Sequence, residues 1–275
     1  DFYVFIQRCR PFPERSCRTM PNQRIILTGA SSGIGTAMAI EYAKQGCALL
    51  LLARRKELLA SVAAGVTAAG GEAHILAADV TEPDTANRAV EMAVKLWGGI
   101  DLVIANAGVS SPQWADSFDA ADAELTMRAN WFSVARMLEA VLPLFRKQGC
   151  GTFVAVSSLA GYRGMPGSGP YNASKAAVTT LMQSLRTEVV GTAIRLLTIS
   201  PGFISTPMTD KNEFYMPFLM EPERGARRII KAIEQGKSEY RFPVRLSIAV
   251  RLLQWMPNWI FDRLMKRLRP RKREA

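Results

Sequence analysis

Thr28-Gly29-Ala30-Ser31-Ser32-Gly33-Ile34-Gly35 follows directly on the apolar run 24–28 and opens a helical pattern that continues through Ala43. Glycine is needed here because the chain must turn sharply, let a ligand approach its backbone, and pack helix on strand. The N-terminus of the helix offers free N–H groups and the positive end of a dipole, which suit a pyrophosphate. A glycine-rich turn alone can be a mere tight loop. Its place between a first strand and a helix points to a dinucleotide-binding turn. Gly29, Ser31, Ser32, Gly33, Ile34 and Gly35 are the candidate phosphate-binding residues.

Outward from this turn, short apolar runs recur at 48–53, 74–78, 100–105, 152–157 and 194–200, with helical patterns between them. They are largely apolar on both faces, as strands inside a parallel sheet must be. The spacers are long enough for crossover helices and too long for hairpins. Gly46 and Gly70-Gly71 read as C-terminal caps of the first two helices. The predicted fold is α/β: a Rossmann-like, doubly wound parallel sheet in a three-layer α/β/α domain over residues 20–243. Residues 1–19 read as an N-terminal extension, upstream or appended sequence ahead of Met20. Residues 244–275 read as a basic, amphipathic helical tail.

The net charge of +11 is concentrated at the ends. Residues 241–275 carry ten Lys/Arg and two acids, and residues 1–19 four Arg and two acids, which leaves the body close to neutral. A basic tail on a neutral body, without a recognition motif, argues against nucleic-acid binding. Cys9, Cys17, Cys47 and Cys150 show no metal or disulfide spacing, and Cys47 reads as a small buried hydrophobe. A reducing cytoplasmic compartment is the simplest fit. No uninterrupted apolar run reaches the roughly 18 residues of a membrane span. Residues 1–19 hold Arg and Pro where a signal peptide needs an apolar core. No His/Cys/Asp cluster suggests a metal, and the lone His74 reads as structural.

The strand ends select the cofactor. An NAD site asks for Asp or Glu after the second strand, to hold the ribose hydroxyls. Here that strand runs into Arg54 and Arg55, whose guanidiniums suit a 2′-phosphate, so NADP(H) is favoured over NAD(H). Asp79-Val80 closes the third strand, where a carboxylate can accept from an adenine amino group. Asn106-Ala107-Gly108 closes the fourth, where small residues let a cofactor lie against the sheet. The fifth strand ends at Ser157-Ser158. Tyr171 and Lys175 then fall four apart, on one face of a helix. An ammonium beside a phenol favours the phenolate, so the pair predicts an acidified tyrosine able to exchange a proton with a carbonyl oxygen. The Ser158 hydroxyl can hold that same oxygen.

With these residues the sequence resembles the classical short-chain dehydrogenases/reductases (SDR), of the NADP-preferring type, over about residues 22–243. The resemblance rests on Thr28-Gly-x-x-x-Gly-Ile-Gly35, Asp79, Asn106-Ala-Gly, Asn130, Ser158, Tyr171-x-x-x-Lys175 and Pro201-Gly202. It implies Tyr171 as general acid/base, Ser158 as the group that positions the substrate oxygen, and Asn130 as holder of a water in a proton relay. Lys175 would bind the nicotinamide ribose and lower the tyrosine pKa. Pro201, Gly202 and the residues through Thr206 would contact the nicotinamide. The resemblance further implies a homodimer or homotetramer. Ala105 departs from the Asn that many members have there.

Beyond Pro201-Gly202, Met208, Phe214, Tyr215, Met216, Phe218, Leu219 and Met220 form an apolar stretch without strand alternation. It suits either an adaptable wall for a hydrophobic ketone, aldehyde or alcohol (lipid, steroid or acyl) or a helix pair packed on the core. The resemblance implies a lid in this place. In the tail, Ile260, Phe261, Leu264, Met265 and Leu268 make an apolar stripe opposite Asp262, Arg263, Lys266 and Arg267, after a helix over 245–256 that Pro257 ends. Such a helix either lies on the inner face of an anionic membrane as a peripheral contact or docks on the body or a partner subunit. The functional expectation is a carbonyl reductase or alcohol dehydrogenase. The alternatives are a 3-oxoacyl-thioester reductase and a non-catalytic nucleotide-binding regulatory protein.

Overall fold

The computed structural model describes residues 21–268, except Lys211, Glu213 and the side chains of Arg267 and Leu268. The readings of 1–19 and of the chain beyond 268 lie outside the described residues.

A run apolar on both faces can be satisfied only between two layers of helices, and the central strands obey this. β1 (Arg24–Thr28), β2 (Ala48–Ala53), β4 (Leu102–Ala105), β5 (Cys150–Val156) and β6 (Ala193–Pro201) are buried almost throughout. With β3 (Glu72–Ala77) and β7 (Glu239–Phe242) they form a seven-stranded, all-parallel sheet in the order β3-β2-β1-β4-β5-β6-β7. Period-2 alternation sends Ile25, Leu27, Leu49 and Leu51 to one face and Ile26, Leu50 and Leu52 to the other. Helices α1 (Gly33–Ala43), α2 (Lys56–Ala68) and α7 (Pro222–Glu234) cover the first face. α3 (Thr85–Trp97), α5 (Ser133–Gln148) and α6 (Gly169–Glu188) cover the second. α4 (Ala120–Met127) runs through a π-turn (Arg128–Phe132) into α5. The described residues end with α8 (Val244–Trp255) and α9 (Asn258–Leu268), broken at Pro257. Among the described residues no helix is long and apolar enough to cross a membrane.

The expected doubly wound, three-layer sheet is present, with differences at its edges. β3 begins at Glu72 rather than at residue 74, and β7 was not expected from the sequence. Both are edge strands, half covered and therefore half polar, so the two-sided apolar signal fails there. Gly70, at φ +94°, supplies the left-handed turn after α2. Cys47 is buried as expected, whereas Cys150 is disulfide-bonded, against the reading of cysteine spacing. His74 pairs with Glu72 at 2.7 Å on the edge strand and meets Trp97 edge-on.

Candidate active site

The strand order decides where a ligand can sit. β1 lies between β2 and β4, so the chain leaves the sheet in opposite directions there and a crevice opens beyond the carboxyl ends. A cleft of about 300 Å³ occupies that position. Arg54 and Arg55 line it, as do the Gly29–Ile34 turn, Asp79, Val80, Asn106, Ala107 and Gly108, and it ends at Ser158, Tyr171, Lys175, Pro201, Gly202 and Thr206. Gly35 and Asn130, both singled out from sequence, stand outside its wall.

The turn is built so that no side chain fits at its three glycines. Gly29 holds φ +66°, and a Cβ there would stand 2.8 Å from Ala107 Cα. Gly33 holds φ +56°, with Thr206 Cγ2 only 2.7 Å from where its Cβ would be. A Cβ on Gly35 would stand 2.1 Å from the Gly29 carbonyl oxygen, so this residue closes the turn from within. Thr28 Oγ1 accepts from the backbone amides of Asn106 and Ala107, each at 3.0 Å. Asn106 Nδ2 returns bonds to the carbonyls of Thr28 and Gly29 at 3.1 and 3.3 Å. Asn106 thus ties the turn to β4 as well as lining the cleft. The first turn of α1 has no acidic residue, and the Ser32 side chain makes no capping bond. The positive end of the helix is left for an anion.

Above the turn, Arg55 Nη2 donates to Ser31 Oγ at 3.3 Å, and exposed Arg54 stands 3.7 Å from the Asp79 carboxylate. Asp79 also accepts from the Thr81 amide at 2.9 Å. A turn closed to side chains at its three glycines, an unneutralised helix end and two guanidiniums fit the two phosphate groups of a dinucleotide.

At the other end, α6 carries Tyr171 and Lys175 one turn apart, with the ammonium 5.7 Å from the centre of the phenol ring. Lys175 is buried and donates to the Val156 carbonyl at 2.9 Å. Ser157 Oγ donates to the Lys175 carbonyl at 2.8 Å and fixes that helix turn on the end of β5. Ser158 accepts from the Ala160 amide at 3.1 Å, and its hydroxyl is near enough to the Tyr171 phenol to act on its proton. Burial raises the Tyr171 pKa above its ordinary value, and the Ser158 hydroxyl returns only part of that rise. Burial likewise pushes Lys175 down to about 8. The expectation of an acidified tyrosine is therefore corrected. Desolvation prevails over the neighbouring ammonium, one of whose protons goes to the Val156 carbonyl, so at neutral pH the phenol holds its proton.

Asn130 sits in the π-turn, fully buried. Its Oδ1 accepts from the Val109 amide at 2.7 Å, and its Nδ2 donates to the Val109 carbonyl and to Ser174 Oγ, both at 2.9 Å. Both Nδ2 hydrogens are used, so the side chain clamps the chain after β4 to α6 from behind the cleft. Gly108 fills the gap, since a Cβ there would lie 3.2 Å from Asn130 Oδ1 and 3.4 Å from Lys175 Nζ.

Sequence reasoning missed Thr209, which lines the cleft. Its hydroxyl accepts from the Thr206 amide at 2.9 Å and donates to the Ile204 carbonyl at 2.7 Å, shaping the chain after β6. The signal was present in Thr206-Pro207-Met208-Thr209, a hydroxyl three residues on that can fold back on the backbone. Ile204 and Met208 also line the cleft. Of the rest of the apolar stretch, Met220 is buried while Phe214, Tyr215, Phe218 and Leu219 are exposed.

Residues 23–214 match the family model for short chain dehydrogenases. An uncharacterized oxidoreductase of Myxococcus xanthus is 36% identical over 250 residues, covering 91% of this chain and 99% of that protein. The ketoacyl reductase HetN of a Nostoc species is 30% identical, covering 80% of this chain and 78% of that one. In fold, the chain resembles a Burkholderia phymatum short chain dehydrogenase/reductase solved in complex with NAD (TM-score 0.79, 22% identity, 94% and 100% coverage). The glycine-lined turn at the switch point, the Tyr171/Lys175 pair beyond it and the match across most of the sheet agree: the chain belongs to the short-chain dehydrogenase/reductase family of oxidoreductases.

Proposed function

We propose that this oxidoreductase uses NADP(H) to interconvert a hydrophobic ketone or aldehyde and its alcohol, with Tyr171, Ser158 and Lys175 in contact with the reacting groups. The observation that carries this is the meeting, in one cleft, of Ser158 and Tyr171, Lys175 one turn on, and the Arg55–Ser31 contact at the far end. Gly29, Ser31, Ser32, Gly33 and Ile34 hold the pyrophosphate, Asp79, Val80, Asn106, Ala107 and Gly108 border the adenosine half, and Pro201, Gly202 and Thr206 border the nicotinamide. Arg54 and Arg55 pair with a 2′-phosphate. When bound, the nicotinamide supplies a hydride to the carbonyl carbon. Ser158 holds the carbonyl oxygen, and Tyr171 delivers its phenolic proton to that oxygen as it gains charge. A phenol kept protonated by burial is poised for reduction; the reverse reaction needs the phenolate and gains with rising pH. Asn130 is a positioning residue, setting α6 against the chain after β4. Phe118, Leu125 and Phe132 leave apolar surface uncovered on one protomer, which supports a homodimer or homotetramer.

Oxidation of NADPH and of NADH over carbonyls graded from small polar to long-chain tests the reading. Faster turnover with NADPH and with the apolar members is expected. A preference for NADH, or for small polar carbonyls, defeats the corresponding half, and no oxidation with any substrate leaves the non-catalytic alternative. A 3-oxoacyl thioester belongs in the panel because of the likeness to a ketoacyl reductase.

A further inference from the structure

The two C-terminal helices divide their apolar residues in a way that the sequence alone did not foretell. The middle of the stripe on α9 turns inward: Phe261 is buried beneath the Arg163 guanidinium, 4.3 Å from its ring centre, and Leu264 and Met265 are half-buried, while Ile260 is exposed. On α8 the inward side is Leu246, Val250 and Leu253, and a second apolar stripe faces out. Val244, Ile248, Leu252 and Trp255 are 62, 56, 67 and 81% exposed. At helical spacing they form one row, with the exposed Arg245 and Arg251 falling on its two flanks. Trp259, 69% exposed, follows at the start of α9.

The helix that carries this row borders the cleft through its opposite, inward side. At one end Leu246 packs on Gly202, where a Cβ would stand 2.7 Å from its Cδ2. At the other end Arg163, five residues after Ser158, donates to the Met256 carbonyl at 3.5 Å and to Asn258 Oδ1 at 2.8 Å. The segment after β6 adds exposed Tyr215, Phe218 and Leu219 beyond the same strand end.

We infer that this face seats on the surface of an anionic bilayer and turns the mouth of the cleft toward the lipid; the inference rests on the reading of the substrate as hydrophobic and names where that substrate resides. Charge selects the occupant. The stripe is edged by arginines and belongs to a segment with ten basic and two acidic residues over 241–275. A second copy would bring the same positive charges together, whereas anionic headgroups neutralise them while the apolar row enters the interface. Tryptophans at positions 255 and 259 suit a boundary that is apolar on one side and wet on the other.

Vesicle flotation of the full chain tests this, with phosphatidylcholine vesicles containing phosphatidylserine against phosphatidylcholine alone. The unaltered protein is expected to float with the anionic vesicles and to release at high salt. The double substitution Leu252→Glu/Trp255→Glu, at exposed positions, is expected to weaken flotation by about tenfold or more. It should leave reduction of a water-soluble aldehyde unchanged, so a failed membrane contact is distinguished from a failed enzymatic reading. No flotation of the unaltered protein overturns the inference. Equal flotation of the variant also overturns it, by assigning the contact to basic charge elsewhere. A variant that instead loses an oligomer in light scattering, where the unaltered protein ignores vesicles, makes the face a self-interface and overturns it too.

Discussion

Replacing Lys175 by Met removes the one buried ammonium in the cleft wall, and the structure fixes both the size and the sign of the result. Burial lowers this group from 10.5 to about 8. At about 1.4 kcal/mol per pH unit, that is a penalty of about 3 kcal/mol on the folded state. Below pH 8 both folded and unfolded chains carry the proton, so the penalty is present in full. Between about pH 8 and pH 10.5 the unfolded chain holds the proton while the folded chain has released it, and stability rises with pH. Above 10.5 neither is charged and the penalty is gone. Lys175→Met abolishes this titration, at the separate cost of leaving the Val156 carbonyl without its donor, about 1–3 kcal/mol. That second loss does not vary with pH. The stability of Lys175→Met minus that of the parent should therefore fall by about 3 kcal/mol from pH 7.5 to pH 10.5, whatever its starting value. Urea denaturation followed by circular dichroism across that range measures it, and other alkaline titrations common to both proteins cancel. Parallel profiles would refute the claim that the folded chain spends stability to keep an ammonium beside Tyr171.

Three other outcomes follow from particular contacts. Arg54→Ala with Arg55→Ala should weaken NADPH binding by about 10–100-fold and leave NADH binding near its parent value, because a charge-assisted bond is worth about 1.5–3 kcal/mol; titration calorimetry reads both. Gly35→Ala puts a methyl 2.1 Å from the Gly29 carbonyl, so the turn must shift and dinucleotide binding should be lost while the far-ultraviolet spectrum is kept. Asp101→Ala strips the bidentate partner of Arg24, bonded at 2.7 and 2.8 Å with Asp101 buried, and should cost about 3–5 kcal/mol in denaturant titrations without changing the slope.

The parts of this molecule legible in its sequence are those set by local chemistry. β1 and β2 fall at the bounds their apolar runs predict, because a strand buried on both faces has no freedom to be polar. The glycine turn and the Tyr171–Lys175 spacing also carry their meaning locally. β7 was illegible because Glu239 and Arg241 satisfy each other and Tyr162 at the sheet edge, which hides the strand among charges. The direction of the Tyr171 shift was misread for a different reason. Spacing places an ammonium near a phenol, but it does not reveal how deeply both are buried or that Val156 takes the lysine proton donor. The tail was left open for a related reason: its sequence allows an apolar stripe either to dock or to face out, and only packing decides that Phe261, Leu264 and Met265 of α9 turn in while α8 turns a row out.

The proposed reduction depends most on the phenolic proton of Tyr171. Single-turnover reduction of a reactive carbonyl by the Tyr171→Phe protein preloaded with NADPH isolates that step from binding. The prediction is an unchanged NADPH affinity with a hydride-transfer rate lower by about 10²–10⁴-fold. A Tyr171→Phe protein that transfers hydride at the parent rate contradicts the account.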